Sequence, residues 1–320
     1  MRGFFQGFLL VLLVGLVLLA EFLLGPGAVG EGGAPLPHAA SPPWWVVVLV
    51  LLALNFVLGI ICVLAGMGGG TLFVPLVSGF LPIHLDFVRS AGLLVALSGA
   101  LAAAPALLRS RMADLRLALT VGLAASSGAV VGARVGLALP SPFLHTALGV
   151  MVLTVAGLML TIRRSEAPEV REMDPLARLL SLEGAYLDLA SGEVVSWKLH
   201  RTAGALMVFL GVGFLAGIFG IGAGWANVPT MNLLMGAPIK VAVATSKFLI
   251  SIVDVGAAWV YISSGAVLPL IVLPSVIGMM LGSWLGPRLL ARTRPSTVRY
   301  IVVLILLFAG LRSLLKGLGI

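Results

Sequence analysis

The chain has 320 residues, of which 60% are hydrophobic and only 10% charged, with a formal net charge of +8. A mean hydropathy of +1.16 excludes a soluble globular domain, because apolar surface on that scale has to face lipid. The basic excess is not a nucleic-acid signal, since the cations sit at the ends of apolar runs, where they set membrane topology. The only cysteine, Cys62, lies in an apolar run, so a disulfide framework and a Cys metal cluster are excluded.

From the N-terminus, Arg2 precedes an apolar run at 4–24, read as a retained transmembrane helix whose N-terminus is cytoplasmic. An external Gly/Pro-rich loop completes this unit, 1–43. A first transmembrane repeat spans 44–162 and opens on Trp44 and Trp45 as interfacial anchors. Its helices are predicted at 44–65, 71–80, 84–108, 115–138 and 142–162, most of them long enough for about 30 Å of hydrocarbon. A polar cytoplasmic insertion follows at 163–202. In it, residues 185–190 and 193–198 flank Ser191-Gly192 as a β-hairpin, read mainly as a spacer. The second transmembrane repeat, 203–320, has helices predicted at 203–219, 225–236, 240–262, 266–289 and 297–316. Long period-2 alternation is absent, so the fold class is an all-α polytopic transmembrane bundle.

Both repeats carry G-x-G-x-G-x4-P: Gly66, Gly68, Gly70 and Pro75, then Gly220, Gly222, Gly224 and Pro229, at an offset of 154. Gly59 and Gly213 match at the same offset. Pro82, Ile83 and Ser90 match Pro238, Ile239 and Ser246 at 156, and Gly128, Gly132 and Gly136 match Gly278, Gly282 and Gly286 at 150. Those last two runs, of small-x3-small type, read as helix-packing surfaces.

Positive charges set the orientation. The turn with Arg109, Arg111 and Arg116, the segment with Arg163, Arg164, Arg171, Arg178, Lys198 and Arg201, and the turn with Arg288, Arg292, Arg294 and Arg299 are assigned to the cytoplasm. The repeats are then inverted, each short segment counting as one crossing, while Arg312 and Lys316 fall outside against the rule. Inverted repeats with interrupted helices are the build of a secondary transporter, with its site at the repeat interface.

The glycine turns lead into short helices at Thr71 and Trp225, whose starts would direct N–H groups and the positive end of the dipole at an anion. Ionisable residues within apolar runs are functional candidates: Arg89, Arg134, Lys247 and Asp254. Lys247, Ser251 and Asp254 share one helix face; Lys247 would attract an anion or snorkel, and Asp254 would neutralise it or carry a proton. Arg89 and Ser90 match Thr245 and Ser246, and a guanidinium with hydroxyls suits a sulfite or sulfonate group; an interfacial Arg89 is the alternative. Asn227 either meets the ligand or caps broken backbone, and Asn55 reads as a helix-to-helix hydrogen bond. Arg134 reads as a snorkelling side chain, and His84 and His145 as outer loop histidines. Zincin, nucleophile-elbow and Walker A motifs are lacking, so no catalytic residue, metal or cofactor is assigned.

The paired glycine motifs with their prolines, Pro82 to Ser90, and Ala237-Pro238-Ile239-Lys240-Val241-Ala242-Val243-Ala244-Thr245-Ser246 resemble the TauE/SafE family of sulfite exporters, also called the toluene sulfonate uptake permease family. The resemblance covers 46–316 and implies a permease moving sulfite, sulfonates or related sulfur anions across the cytoplasmic membrane. Its motif positions here are Gly66, Gly68, Gly69, Gly70, Pro75, Gly220, Gly222, Gly224, Pro229, Thr245 and Ser246. Departures from the repeat pattern are Ala223 opposite Gly69, Arg89 opposite Thr245, the N-terminal helix and the insertion.

The substrate-binding set expected from all this is Gly66, Gly68, Gly69, Gly70, Thr71, Arg89, Ser90, Gly220, Gly222, Gly224, Asn227, Thr245, Ser246 and Lys247, with Asp254 as the proton-coupling candidate. Expected partners are the lipid bilayer, a small anionic substrate and a coupling proton, with no nucleic acid; the sequence sets no oligomeric state. An anion channel with the same turns as its filter, a carrier of another carboxylate anion, a lipid-phosphate enzyme and a structural membrane subunit are the competing classes.

Overall fold

The computed structural model describes residues 43–319 except 66, 82, 110–112, 162–169, 171, 188–193 and 291–294. The expected 4–24 helix, Gly66 and the Ser191-Gly192 turn lie outside the described residues. The helices are α1 (Trp44–Ala65), α2 (Gly70–Phe80), α3 (Leu85–Arg109), α4 (Leu115–Ala138), α5 (Ser141–Thr161), α6 (Pro175–Leu179), α7 (Thr202–Phe219), α8 (Gly224–Pro229), α9 (Ile239–Ser263), α10 (Pro269–Leu290) and α11 (Pro295–Gly317). Strands β1 (Glu183–Leu187) and β2 (Val194–Lys198) precede α7, and a π-helical segment, Thr230–Leu234, continues α8. Among the described residues eight helices are long and apolar enough to cross a membrane, and side chains such as Leu123, Trp259 and Leu273 face outward from the bundle. The protein is thus an all-α polytopic helical bundle.

Local chemistry sets the helix ends. Asp114 caps α4 by accepting from the Leu117 N–H at 2.7 Å, which satisfies one of the helix's free donors. Gly220 closes α7 in the left-handed region, φ +67°, with its N–H bonded to the Ala216 carbonyl, a conformation that a side chain would strain. Pro269 and Pro295 open α10 and α11, where a missing N–H removes nothing from the helix.

Helices of one half pair with helices of the other in reciprocal fashion: α1 lies along α10 and α4 along α7, α3 meets α10 and α9 meets α4, and α5 meets α11. Glycines permit this closeness. A Cβ on Gly132 would strike the Phe214 carbonyl, and one on Gly282 the Phe56 carbonyl. These contacts correct the expected alignment. Gly128 meets the Leu210 carbonyl as Gly282 meets that of Phe56, and Gly213 meets Ala125 as Gly59 meets Met279, all at an offset of 154 rather than 150. Glycines four residues apart make a slip of one helical turn invisible in the sequence.

The second short helix also differs from the expected 225–236. After Pro229, which brings no N–H, the Met235 N–H reaches back five residues to the Thr230 carbonyl. This wider turn lies where the second half holds two residues more than the first, between Pro229 and Pro238 against Pro75 and Pro82.

In the insertion, Glu183 pairs with Lys198 and Leu187 with Val194 in antiparallel register. Trp197 lies over Gly184, where a Cβ would come within 2.9 Å of its ring. Leu182, Tyr186, Trp197 and Leu199 are buried in one cluster with Met231, Met235 and Ala237. Both the backbone N–H and the ring Nδ1 of His200 approach the Met235 carbonyl, at 3.1 and 3.0 Å. The insertion therefore docks on the far end of the second interrupted helix and is more than a spacer. Two other readings change: Asn55 bonds back to Leu51 in its own helix, and His145 is buried within α5 rather than in a loop.

Candidate functional site

The two glycine turns meet in the buried centre of the bundle. A Cβ on Gly224 would lie 2.5 Å from the Gly68 nitrogen and 2.8 Å from Cδ1 of Ile250, so the chains touch backbone to backbone beside that side chain. A Cβ on Gly70 would come within 2.9 Å of the Ile221 carbonyl, and one on Gly69 within 2.6 Å of Met279. Only the second turn takes left-handed backbone among the described residues, at Gly220 and at Gly222, φ +70°.

Each turn is also bridged by a side chain from the opposite half. Thr71 Oγ1 donates to the Ile221 carbonyl at 3.2 Å, and Lys247 Nζ donates to the Met67 carbonyl at 2.6 Å. Met67 and Ile221 are themselves 154 positions apart, so the two acceptors are matching atoms of the repeats. Lys247 is 6% exposed, and among the described residues no carboxylate lies within ion-pair distance of it. Asp254, two turns further along α9, faces Gly222: a Cβ there would lie 2.9 Å from its Oδ2. Both of its oxygens are buried without a hydrogen bond of ordinary geometry, although the Ala223 N–H acts on the group.

The expected site residues divide into two groups. Lys247 and Asp254 reach the turns from α9, while Asn227 on α8 and Ser246 on α9 have a buried amide and hydroxyl with no partner among the described residues. Thr71, Ser90, Thr245 and Arg89 are otherwise engaged. Ser90 donates to the Phe87 carbonyl at 2.9 Å, and Thr245 Oγ1 accepts from the Asp114 N–H at 3.0 Å, fixing the start of α4. Arg89 is fully buried and donates to the carbonyls of Ile218 and Gly136 and to Asp86, with its guanidinium 5.5 Å from the centre of the Tyr261 ring. It closes the ends of α7 and α4 rather than turning toward Lys247.

Fewer helix-start donors are open than the glycine motif implies. The N–H groups of Thr71, Leu72 and Phe73 bond to the Gly68 and Gly69 carbonyls, and those of Ala226 and Asn227 to Ala223. Two participants escaped the sequence reading. Ile250 packs beside the Gly68–Gly224 contact, and the Trp225 Nε1–H is buried without a partner among the described residues. Trp225 was detectable, for it occupies the position matching Thr71. Ile250 carried no signal, being one apolar residue in an apolar helix. Chemically, the described residues offer a buried ammonium, that of Lys247, and several unsatisfied polar groups where two backbone turns touch, which suits a small polar anion.

The family described as "Sulfite exporter TauE/SafE" matches residues 50–313. Over 277 residues the chain is 26% identical to "Probable membrane transporter protein YunE" of Bacillus subtilis (strain 168), an alignment covering 84% of this chain and 98% of that protein. A second similar protein of the same organism, "Probable membrane transporter protein YdhB", is 24% identical over 244 residues, or 75% of this chain and 89% of the other. No solved structure matches significantly.

Proposed function

The chain belongs to the sulfite exporter TauE/SafE family, and from that premise we propose that it is a secondary transporter moving a small sulfur-containing anion, sulfite or an organosulfonate, by alternating access. The observation that carries this reading is the buried Lys247, which reaches the first glycine turn from the second half with no carboxylate beside it among the described residues. A buried cation without a counter-charge costs several kcal/mol, roughly, and an anionic ligand offsets that cost. The anion sits where the turns meet, held by Lys247 with Ser246 and Asn227, while Asp254 exchanges a proton with the transported species. Reciprocal pairing of helices between the halves supports inverted repeats that rock against each other around this point. The positive-inside rule, applied to the Arg-rich turns, supports a cytoplasmic N-terminus, and the apolar helices support a multi-pass carrier of the cytoplasmic membrane.

The decisive experiment is uptake of radiolabelled sulfite, a sulfonate and a carboxylate into proteoliposomes, with and without a pH gradient, by wild type and Lys247→Ala. Saturable uptake of a sulfur anion, lost in the variant, is expected. Uptake of the carboxylate alone replaces the substrate class, linear non-saturating flux replaces the carrier by a channel, and no uptake by folded protein overturns the reading.

A further inference from the structure

We propose that the Lys247–Met67 hydrogen bond is a lock between the two halves that the transported anion opens, an inference that rests on the anion-transport reading above. Two directional bonds cross between the halves at the turns, to matching carbonyls, and they differ in kind. Thr71 gives Ile221 a neutral hydroxyl at 3.2 Å; Lys247 gives Met67 an ammonium at 2.6 Å. Beside these two bonds the turns meet the opposite half in van der Waals contact, at Gly68 with Gly224 and Ile250, at Gly70 with Ile221, and at Gly220 with the Arg89 backbone.

A buried ammonium held by a carbonyl dipole, with no carboxylate within ion-pair distance among the described residues, is under-compensated, because a full negative charge is a stronger partner for it. An anion entering beside Lys247 therefore competes with the Met67 carbonyl for the same N–H groups. A ligand shifts a conformational equilibrium only through contacts that differ between its states, and here the difference is one charged bond traded for another. The device is one-sided. At the offset of 156 that relates Ser90 to Ser246, Lys247 falls on Ala91, which has no donor, so only the first turn is locked in this way. Its strength is that of a single charge-assisted hydrogen bond, which a small anion can match.

Cys62, the sole cysteine of the chain, provides the readout. It is 2% exposed, and its carbonyl accepts from the N–H of Met67, the residue whose own carbonyl Lys247 holds, at 2.9 Å. The test is the rate of Cys62 alkylation by N-ethylmaleimide in proteoliposomes of the full chain, with methanesulfonate as the probe and acetate and chloride at equal ionic strength beside it. Methanesulfonate is expected to speed wild-type labelling about tenfold, with saturation, as one charged hydrogen bond is released. Lys247→Met should label fast without any anion and ignore methanesulfonate. Lys247→Gln, which keeps a donor but loses the charge, should label slowly and also ignore it, a pattern that general loosening of the fold cannot produce. The lock is overturned if wild-type labelling is unmoved by every anion while a labelled anion is still taken up, or if folded Lys247→Met labels at the wild-type rate. Failure of the transport reading appears separately, as absence of uptake, while the ligand-free comparison of Lys247→Met with wild type still decides the lock.

Discussion

Arg89 donates to the Ile218 carbonyl at 2.7 Å, joining the start of α3 in one half to the end of α7 in the other. With its bond to Gly136 it closes two helix C-termini, where free carbonyls and the negative end of the dipole favour a cation. An intramembrane arginine in a transporter invites a substrate role, yet these bonds describe a rivet. Arg89→Ala should therefore lower thermal stability in detergent by about 3 kcal/mol, since it strands Asp86 and two buried carbonyls, while the half-saturating anion concentration stays unchanged. Arg89→Lys keeps the charge but not the fork and should fall between. Lost affinity at unchanged stability would return Arg89 to the ligand site.

The same logic accounts for the charges that defied the topology rule. Lys316 Nζ donates to the Ser78 and Leu81 carbonyls, closing the end of α2, and the Arg312 side chain lies against Gly79. Lys316 serves as an internal cap, so its position does not weigh as a topology signal. Hydropathy, Asp114, Gly220 and the prolines act locally, and the expected 44–65 and 115–138 agree with the structure to the residue, whereas the second short helix departs after Pro229. Ile218 bonded by Arg89, Asp114 by Thr245 and Met67 by Lys247 lie 129, 131 and 180 positions away, and no local pattern encodes such distances. For that reason the sequence identified the polar residues of the centre but could not separate those that bind backbone from those left open.

Glycine substitutions test whether the contact between the turns is functional. At Gly224 the backbone is helical, so Ala adds no strain, but its Cβ would press on the Gly68 nitrogen and Ile250. Gly224→Ala should fold and lose most uptake. Gly222→Ala adds a left-handed backbone cost of about 1–2 kcal/mol and crowds Asp254, so it should lose stability as well. Gly157 has nothing within 4 Å of a Cβ, and Gly157→Ala should match wild type in both uptake and melting.

Asp254 is the buried acid of this centre, and its matching position at the 156 offset is Ser98, so the acid, like Lys247, belongs to one half only. If the proton moves through it, uptake at a fixed anion gradient varies with pH in wild type and becomes level in Asp254→Asn, which keeps shape and removes the ionisable group. Uptake measured across a pH series in proteoliposomes decides this. A variant that still transports with the wild-type pH profile removes Asp254 from the proton path.

The insertion offers a paired test, because adjacent faces of one strand have opposite surroundings. Trp197 is buried in the same apolar cluster as Met231 and Met235, whereas Val194 on the same strand is 71% exposed. Trp197→Ala should cost about 3–5 kcal/mol, as expected for a large core side chain, and Val194→Ala no more than about 0.5 kcal/mol. Thermal melting in detergent separates them. A consequence for function follows from connectivity: the π-helical segment, which shares its apolar cluster with Trp197, continues directly from α8, whose first residue, Gly224, touches Gly68. Loosening the far end of that segment should raise the half-saturating anion concentration several-fold without touching any polar group of the centre. A Trp197→Ala protein that is destabilised yet binds anion as wild type does would confine the insertion to holding the fold together.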